Sequence, residues 1–215
     1  MANESTVGFG FRAANRLGGA ASVQGQTKYQ LQTAPGVALM KNDPASIQAA
    51  GNTGFIQDAS FATTDDGGTG GAAYNNGTNA KLVGVLNGFF FIDSTTLKPT
   101  FANSVAASQA FGTNPNTGST NGFAFVNTDP HQEYICKADA AVPQANVGKT
   151  AFNCNNNGGT SKDGQSVVTL EIGSNNAATS MFTIIGTAED PENEDITAEG
   201  VNVKVVMAAA ARLYG

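Results

Sequence analysis

The chain has 215 residues, enough for one large domain or two small ones, and it carries a net charge of −6 on few charged side chains. Its apolar content is adequate for a core, which excludes the low-hydrophobicity, high-charge profile of disorder. The acidic balance argues against nucleic-acid binding, which needs clustered Lys and Arg, and no apolar run approaches the roughly 18–20 residues of a membrane span. Gly is abundant, Trp is absent, and there is one histidine. Such a composition is poor in helix formers and rich in turn and strand residues.

Residues 1–25, MANESTVGFGFRAANRLGGAASVQG, show no helical stripe. They read as an extended arm with little core of its own, anchored by Phe9 and Phe11, which share one side of an extended chain. Such an arm usually lies on another surface, its own domain's or a neighbour's. The first fifty residues hold Arg12, Arg16, Lys28 and Lys41 against Glu4 and Asp43, so this end is slightly basic and suited to an acidic surface. The stretch MANESTVGFGF lacks the basic and apolar regions of a secretory signal, and synthesis in the cytosol without Sec export is expected.

Residues 26–215 read as one β-rich body with long loops at 49–80 and 153–165. TKYQLQ (27–32) alternates as a strand, GVALMKND (36–43) ends at Asp43-Pro44, and ASIQ (45–48) follows. KLVGVLNGFFFID (81–93) is the longest apolar run. It is too apolar for an edge strand, and Gly84 and Gly88 suit a bulge or a close backbone approach better than a helix. LKPTFAN (97–103) carries Pro99 and reads as an edge piece, while VAASQAF (105–111) is the one helical turn expected. NGFAFVN (121–127), HQEYICKAD (131–139), SVVTLEI (166–172), SMFTIIGTA (180–188) and GVNVKVVMAAAARLY (200–214) are strands. Alternation puts Val168, Leu170 and Ile172 on one face, and Val201, Val203, Val205 and Met207 inward with Asn202 and Lys204 outward. Many short strands with Gly, Asn and Pro punctuation make an all-β antiparallel barrel or sandwich. Asp-Pro at 43–44, 129–130 and 190–191 reads as a turn initiator each time.

Four places invite a chemical reading. The stretch TDPHQEYICKAD (128–139) gathers His131, Glu133, Tyr134 and Cys136. On a strand, His131, Glu133, Ile135, Lys137 and Asp139 share one face, and Gln132, Tyr134, Cys136 and Ala138 the other. The imidazole and the Cys136 thiol therefore point apart, which a nucleophilic pair does not allow, and the spacing fits no zinc site. A plain strand is expected. Cys136 and Cys154 are candidates for a disulfide across the loop between them, if their Cα atoms lie within ~4.4–6.8 Å. DDGGTGG (65–71) lacks the Gly-Lys-Ser/Thr of a phosphate loop and the tandem copies of calcium repeats, and reads as a surface loop. AEDPENEDITAE (188–199) concentrates carboxylates without calcium-loop spacing and reads as a solvated hairpin loop. No catalytic elbow, zinc-helix or dinucleotide motif is present. A carboxylate pair of glycosidase type stays open, although the lack of Trp makes a sugar-binding cleft less attractive.

The order of these features resembles the capsid decoration, or cement, proteins of tailed bacteriophages, especially marine and cyanobacterial ones. The likeness runs from about Gly25 to the end. It rests on YQLQ, ALMKNDPASI, KLVGVLNGFFFID, TLKPTF, FAFVNTDPHQEYICKAD, KDGQSVVTLEI, FTIIGTAEDPENE and GVNVKVVMAAAARLYG. The resemblance implies a structural virion protein, made in the host cytoplasm and bound outside an icosahedral shell as a homo-oligomer, most often a trimer. Its partner would be the major capsid protein, with no catalytic residue, cofactor, metal, nucleic acid or membrane. On this reading Phe9, Phe11, Arg12 and Arg16 dock the arm on a shell subunit or a sister copy, by strand addition. A tail or head-fibre component, a secreted carbohydrate-binding or hydrolytic β-sandwich, and a surface-layer or adhesin module are the alternatives. A carbohydrate module should expose an aromatic platform on one sheet face, whereas a cement protein should hide its apolar residues in the core and in contacts with neighbours.

Overall fold

The structure, a computed structural model, describes residues 3–22, 25–47, 54–59, 82–155, 164–173 and 181–213. Most of the two expected long loops, with DDGGTGG, lies outside the described residues. Within them are fourteen strands: β1 (Arg12–Arg16), β2 (Gln26–Leu31), β3 (Leu39–Met40), β4 (Pro44–Ile47), β5 (Ile56–Asp58), β6 (Leu82–Ile92), β7 (Pro99–Ala102), β8 (Ser104–Val105), β9 (Gly122–Asn127), β10 (Gln132–Lys137), β11 (Thr150–Asn155), β12 (Thr169–Glu171), β13 (Phe182–Thr187) and β14 (Asn202–Met207). One sheet runs β1-β10-β14-β13-β11-β12 and the other β2-β9-β6-β4-β5, with β7 also paired to β6; β3 and β8 form a small third ribbon. Every named strand pair is antiparallel, and β12 also meets the end of β10 through an Ala138–Leu170 bridge, so the body is all-β and consistent with a sandwich.

Two apolar cores result. The larger lies over the first sheet, where Tyr134, Cys136, Val203, Val205 and Leu170 are sealed as the alternation requires. The smaller packs Leu31, Leu86, Phe89, Phe91 and Val126 of the second sheet against Leu39 and Val105 of the ribbon. Strand β6 joins them: Leu82 and Val85 belong to the first core, Val83 and Leu86 to the second. This double burial is why the run is apolar without alternation. Its Gly84 is required by contact, since a Cβ there would meet the Asn127 carbonyl oxygen at 1.9 Å. The register with β9 shifts between Leu86 and Gly88, the bulge that a strand glycine signals.

Two of the three Asp-Pro sites open turns, and at the third Asp43 ends a turn while Pro44 starts β4. Gln132 N donates to Asp129 O (3.2 Å) and Asn193 N to Asp190 O (2.9 Å), while Asp43 closes a turn by donating its N–H to Met40 O (3.1 Å). The helical turn expected over 105–111 does not form a helix. Val105 pairs into β8, and Phe111 bridges Asp93. One turn closes where Gln109 N donates to Ala106 O (2.9 Å), but the carbonyls of Ala107 and Gln109 accept from Gly36 and Ala34, so no i→i−4 ladder follows. Asn202, expected to face outward, is buried at 7 % exposed, and Lys137, on the strand face of the exposed His131, is buried at 2 %. Polar partners, described next, replace the water that alternation alone assigns to them.

Candidate functional site

The N-terminal segment lies along its own body. β1 is hydrogen-bonded to β10, and Phe11 stacks on Phe182 with ring centroids 4.2 Å apart, wholly buried in the first core. Gly10 makes the entry, with φ +71° and no room for a Cβ beside the Asn42 carbonyl oxygen (2.6 Å). Of the residues expected to dock on a partner, Phe11 is therefore spent on the core. Phe9 is half-buried beneath the Arg12 guanidinium (4.4 Å to the ring centroid). Arg16 forms an ion pair with Asp129 (Nε–Oδ2 2.7 Å), and Arg12 remains exposed.

Upstream, the segment seals a buried ammonium. Lys137 Nζ donates to Ser5 O (2.7 Å), Gly200 O (3.1 Å) and Asn193 Oδ1 (3.2 Å). Desolvation lowers its pKa, and nearby Asp190 works against that shift. Three acceptors are what an ammonium requires when it leaves water, and one of them is supplied by the N-terminal segment. The acidic stretch 188–199 belongs to this arrangement and is only partly solvated. Asp190 Oδ2 accepts from Asn202 Nδ2 (2.6 Å) and Asn193 Nδ2 (3.2 Å), and Asp195 N donates to Asn3 Oδ1 (3.1 Å). The Thr197 hydroxyl and amide hold the Asp195 carboxyl down at about 2. Among the described residues, no three His, Cys, Asp or Glu side chains converge as metal ligands.

The histidine-bearing stretch is a strand with its faces as alternation assigns them. His131 sits at the β10 entry with its side chain 57 % exposed, 3.9 Å from Asp129. Cys136 lies in the core on the other face. Cys136 and Cys154 are both free thiols and both fully buried, so the candidate disulfide is not formed. Burial pushes both thiols up, which makes them poor nucleophiles, and Cys154 Sγ contacts Met181 Sδ at 3.6 Å. A carboxylate pair does exist at Asp43 and Asp58, 3 % and 4 % exposed. Burial first, and Asp58 second, keep the Asp43 carboxyl well above its usual range, while Asp43 Oδ2 accepts from Met40 N (2.7 Å).

A solvent-exposed aromatic row lies elsewhere, on the outer face of the second sheet. Phe90 pairs in register with Phe101 of β7 and Phe123 of β9, and their centroids lie 4.8 and 6.5 Å from its own. Phe101 is 75 % exposed. Lys28 of β2 holds its ammonium 4.0 Å above the Phe123 ring. Phe125 follows on the same face beside Gly88, where a side chain is missing and a hollow opens. Next to it, where β1 meets the second sheet, is a cleft of about 320 Å³ floored by Phe11, Val85 and Tyr134. Arg12, Lys41 and several amide side chains line it. Sequence reading missed this face because FFF at 89–91 reads as a wholly buried run. The available signal was Gly88, two residues before Phe90, together with Lys28 and Phe123 in strands that alternate. No family model, curated protein or solved structure matches the chain.

Proposed function

We propose that the chain is a non-catalytic structural protein of a tailed-phage particle, bound outside the capsid, where it braces the shell by bridging major capsid subunits. The motif order described above motivates this reading. The observation that carries it is the state of the N-terminal side of the molecule. β1 is an edge strand, and the segment around it leaves Val7 and Leu17 68 % and 50 % exposed, with Arg12 beside them. An edge with apolar flanks and a cation is a surface for strand addition by an acidic neighbouring chain. On this account Phe9 and Phe11 fix the segment to its own body, so that Val7, Leu17 and Arg12 meet the shell. Several such contacts around a symmetric trimer would raise the affinity of each weak one, and binding only the assembled lattice would stabilise it by mass action.

The test is co-sedimentation of the purified protein with capsids stripped of it, followed by electron microscopy of the particles. Wild-type protein should occupy the outer surface around one symmetry axis. Val7→Ser/Leu17→Ser should fold normally and lose most of that occupancy. Undiminished occupancy by the double variant would refute attachment through this edge, and wild-type protein absent from the shell surface would refute the role itself.

A further inference from the structure

We infer that the outer face of the second sheet, with its adjoining cleft, is a binding site for an acidic saccharide, a chain of sugar rings bearing carboxylates. This goes beyond the structural role proposed above and does not depend on it. Three features point the same way. The first is the row of Phe90, Phe101 and Phe123, in which Phe101 is tilted 52° from Phe90 and 75 % exposed to solvent. Such rings stack on the apolar C–H faces of sugar rings, which burial of an aromatic surface rewards. The absence of Trp does not remove that capacity, because Phe rings supply it here.

The second feature is the polar lining. The cleft and the hollow beside Gly88 share Gln26, Asn87 and Asn103, so the two are continuous. These amides come from β2, from β6 and from the link between β7 and β8, and converge on one opening. An amide offers a donor and an acceptor together, which matches the paired hydroxyls of a sugar and not a purely apolar ligand.

The third is charge. Among the described residues no Asp or Glu lines the cleft or the hollow, although the chain carries net charge −6. Arg12 and Lys41 line the cleft, and Lys28 stands over the row. Among the described residues none of the three forms an ion pair, whereas Arg16 and Lys204 do. A lining whose described residues include cations and no carboxylate is complementary to an anion. Three cations in an otherwise acidic body are too few for a nucleic-acid backbone. Spaced beside amides and rings, they fit the sparse carboxylates of a uronate chain, whose planar carboxylate Arg12 can take in bidentate fashion.

Calorimetric titration of the full chain tests this, using oligogalacturonate and oligoguluronate of four to six units, their carboxyl-reduced neutral counterparts, poly-glutamate and oligothymidylate. At least one uronate should bind roughly tenfold or more tightly than its neutral counterpart, the ratio expected from one charge-assisted hydrogen-bonded contact. Arg12→Gln/Lys41→Gln should erase that preference. Phe101→Ala should weaken both acidic and neutral ligands several-fold, the size of one stacking contact. Lys149→Gln, an exposed cation away from this face, should change nothing. The proposal is overturned if neither uronate binds, if the preference survives the double variant, or if poly-glutamate or oligothymidylate binds as tightly, which would reduce the face to a general anion or nucleic-acid surface. Because Arg12 belongs to both surfaces, capsid occupancy of Phe101→Ala separates this site from the attachment edge: it should be retained, and its loss would assign the aromatic face to the shell.

Discussion

Two regions of this protein use the same residue types to opposite ends. The N-terminal segment carries two phenylalanines and two arginines in a Gly-rich extended stretch, and its Phe11 is wholly buried. The outer face of the second sheet carries phenylalanines and a lysine on strands of high β-propensity, and its Phe101 is 75 % exposed. Burial is decided by what lies opposite each face. The segment runs over an unfilled end of the first core, between β10 and the approach to β12, where Phe182 offers a ring to stack on. The aromatic row lies on a sheet whose other face is already packed against the β3–β8 ribbon, and among the described residues it is left open to solvent at Phe101.

Breaking this contrast at its buried end should have the largest effect. Phe11→Ala removes a stacked core ring and should cost about 3–5 kcal/mol in urea-induced unfolding. Phe101→Ala, at the exposed end of the same chemistry, should cost no more than about 0.5 kcal/mol. Comparable losses at the two positions would mean that the N-terminal segment is not part of the core.

Lys137→Met comes next. It strands the carbonyls of Ser5 and Gly200 that now accept from the ammonium, and should cost on the order of 2–3 kcal/mol. The loss should be accompanied by faster proteolysis within residues 3–9, read by mass spectrometry of limited digests. A variant that resists digestion as the wild type does would show that the cage does not hold the segment.

The pH dependence sharpens the comparison further. Asp43 is raised in the folded state, so the native protein binds a proton there that the unfolded chain has released. Its contribution is present below the unfolded value near 3.9 and is lost as pH rises through the folded value. Asp93, Asp190 and Asp195 are lowered by their hydrogen bonds, and their contributions are lost as pH falls through their folded values. Thermal unfolding should therefore show greatest stability at mildly acidic pH. Asp43→Asn should flatten the decline on the alkaline side while leaving the acid limb in place, and an unchanged alkaline limb would acquit Asp43. The smallest effect is expected at His131, where replacement by Ala at an exposed strand entry should shift stability by less than about 0.5 kcal/mol.

Much of the scaffold was legible because period-two alternation is set by the backbone itself. It placed Gln132, Tyr134, Cys136 and Ala138 together on one face, which the fold buries, and Val201, Val203, Val205 and Met207 inward. Gly84 and the Asp-Pro turns were readable for the same reason: a missing Cβ and a side-chain acceptor act locally. Alternation failed where a polar side chain found partners far away in sequence. Lys137 is satisfied by residues 5, 193 and 200, a convergence no local pattern contains. The stretch 105–111 failed similarly, because its carbonyls bond to residues 34 and 36. The candidate binding face was the least legible, since it joins Arg12, Lys28, Lys41, Phe101 and Phe123 from five separate stretches of chain, and only strand order brings them together.

Hydrogen exchange of the full-length native chain, resolved to single amides by nuclear magnetic resonance, is the most direct trial of the central contrast. Amides hydrogen-bonded at Phe11 and along β1 should exchange with protection within about tenfold of their β10 partners, because they open only when the first core does. Exchange of residues 10–16 at the rate of an unstructured peptide, with β10 still protected, would contradict it.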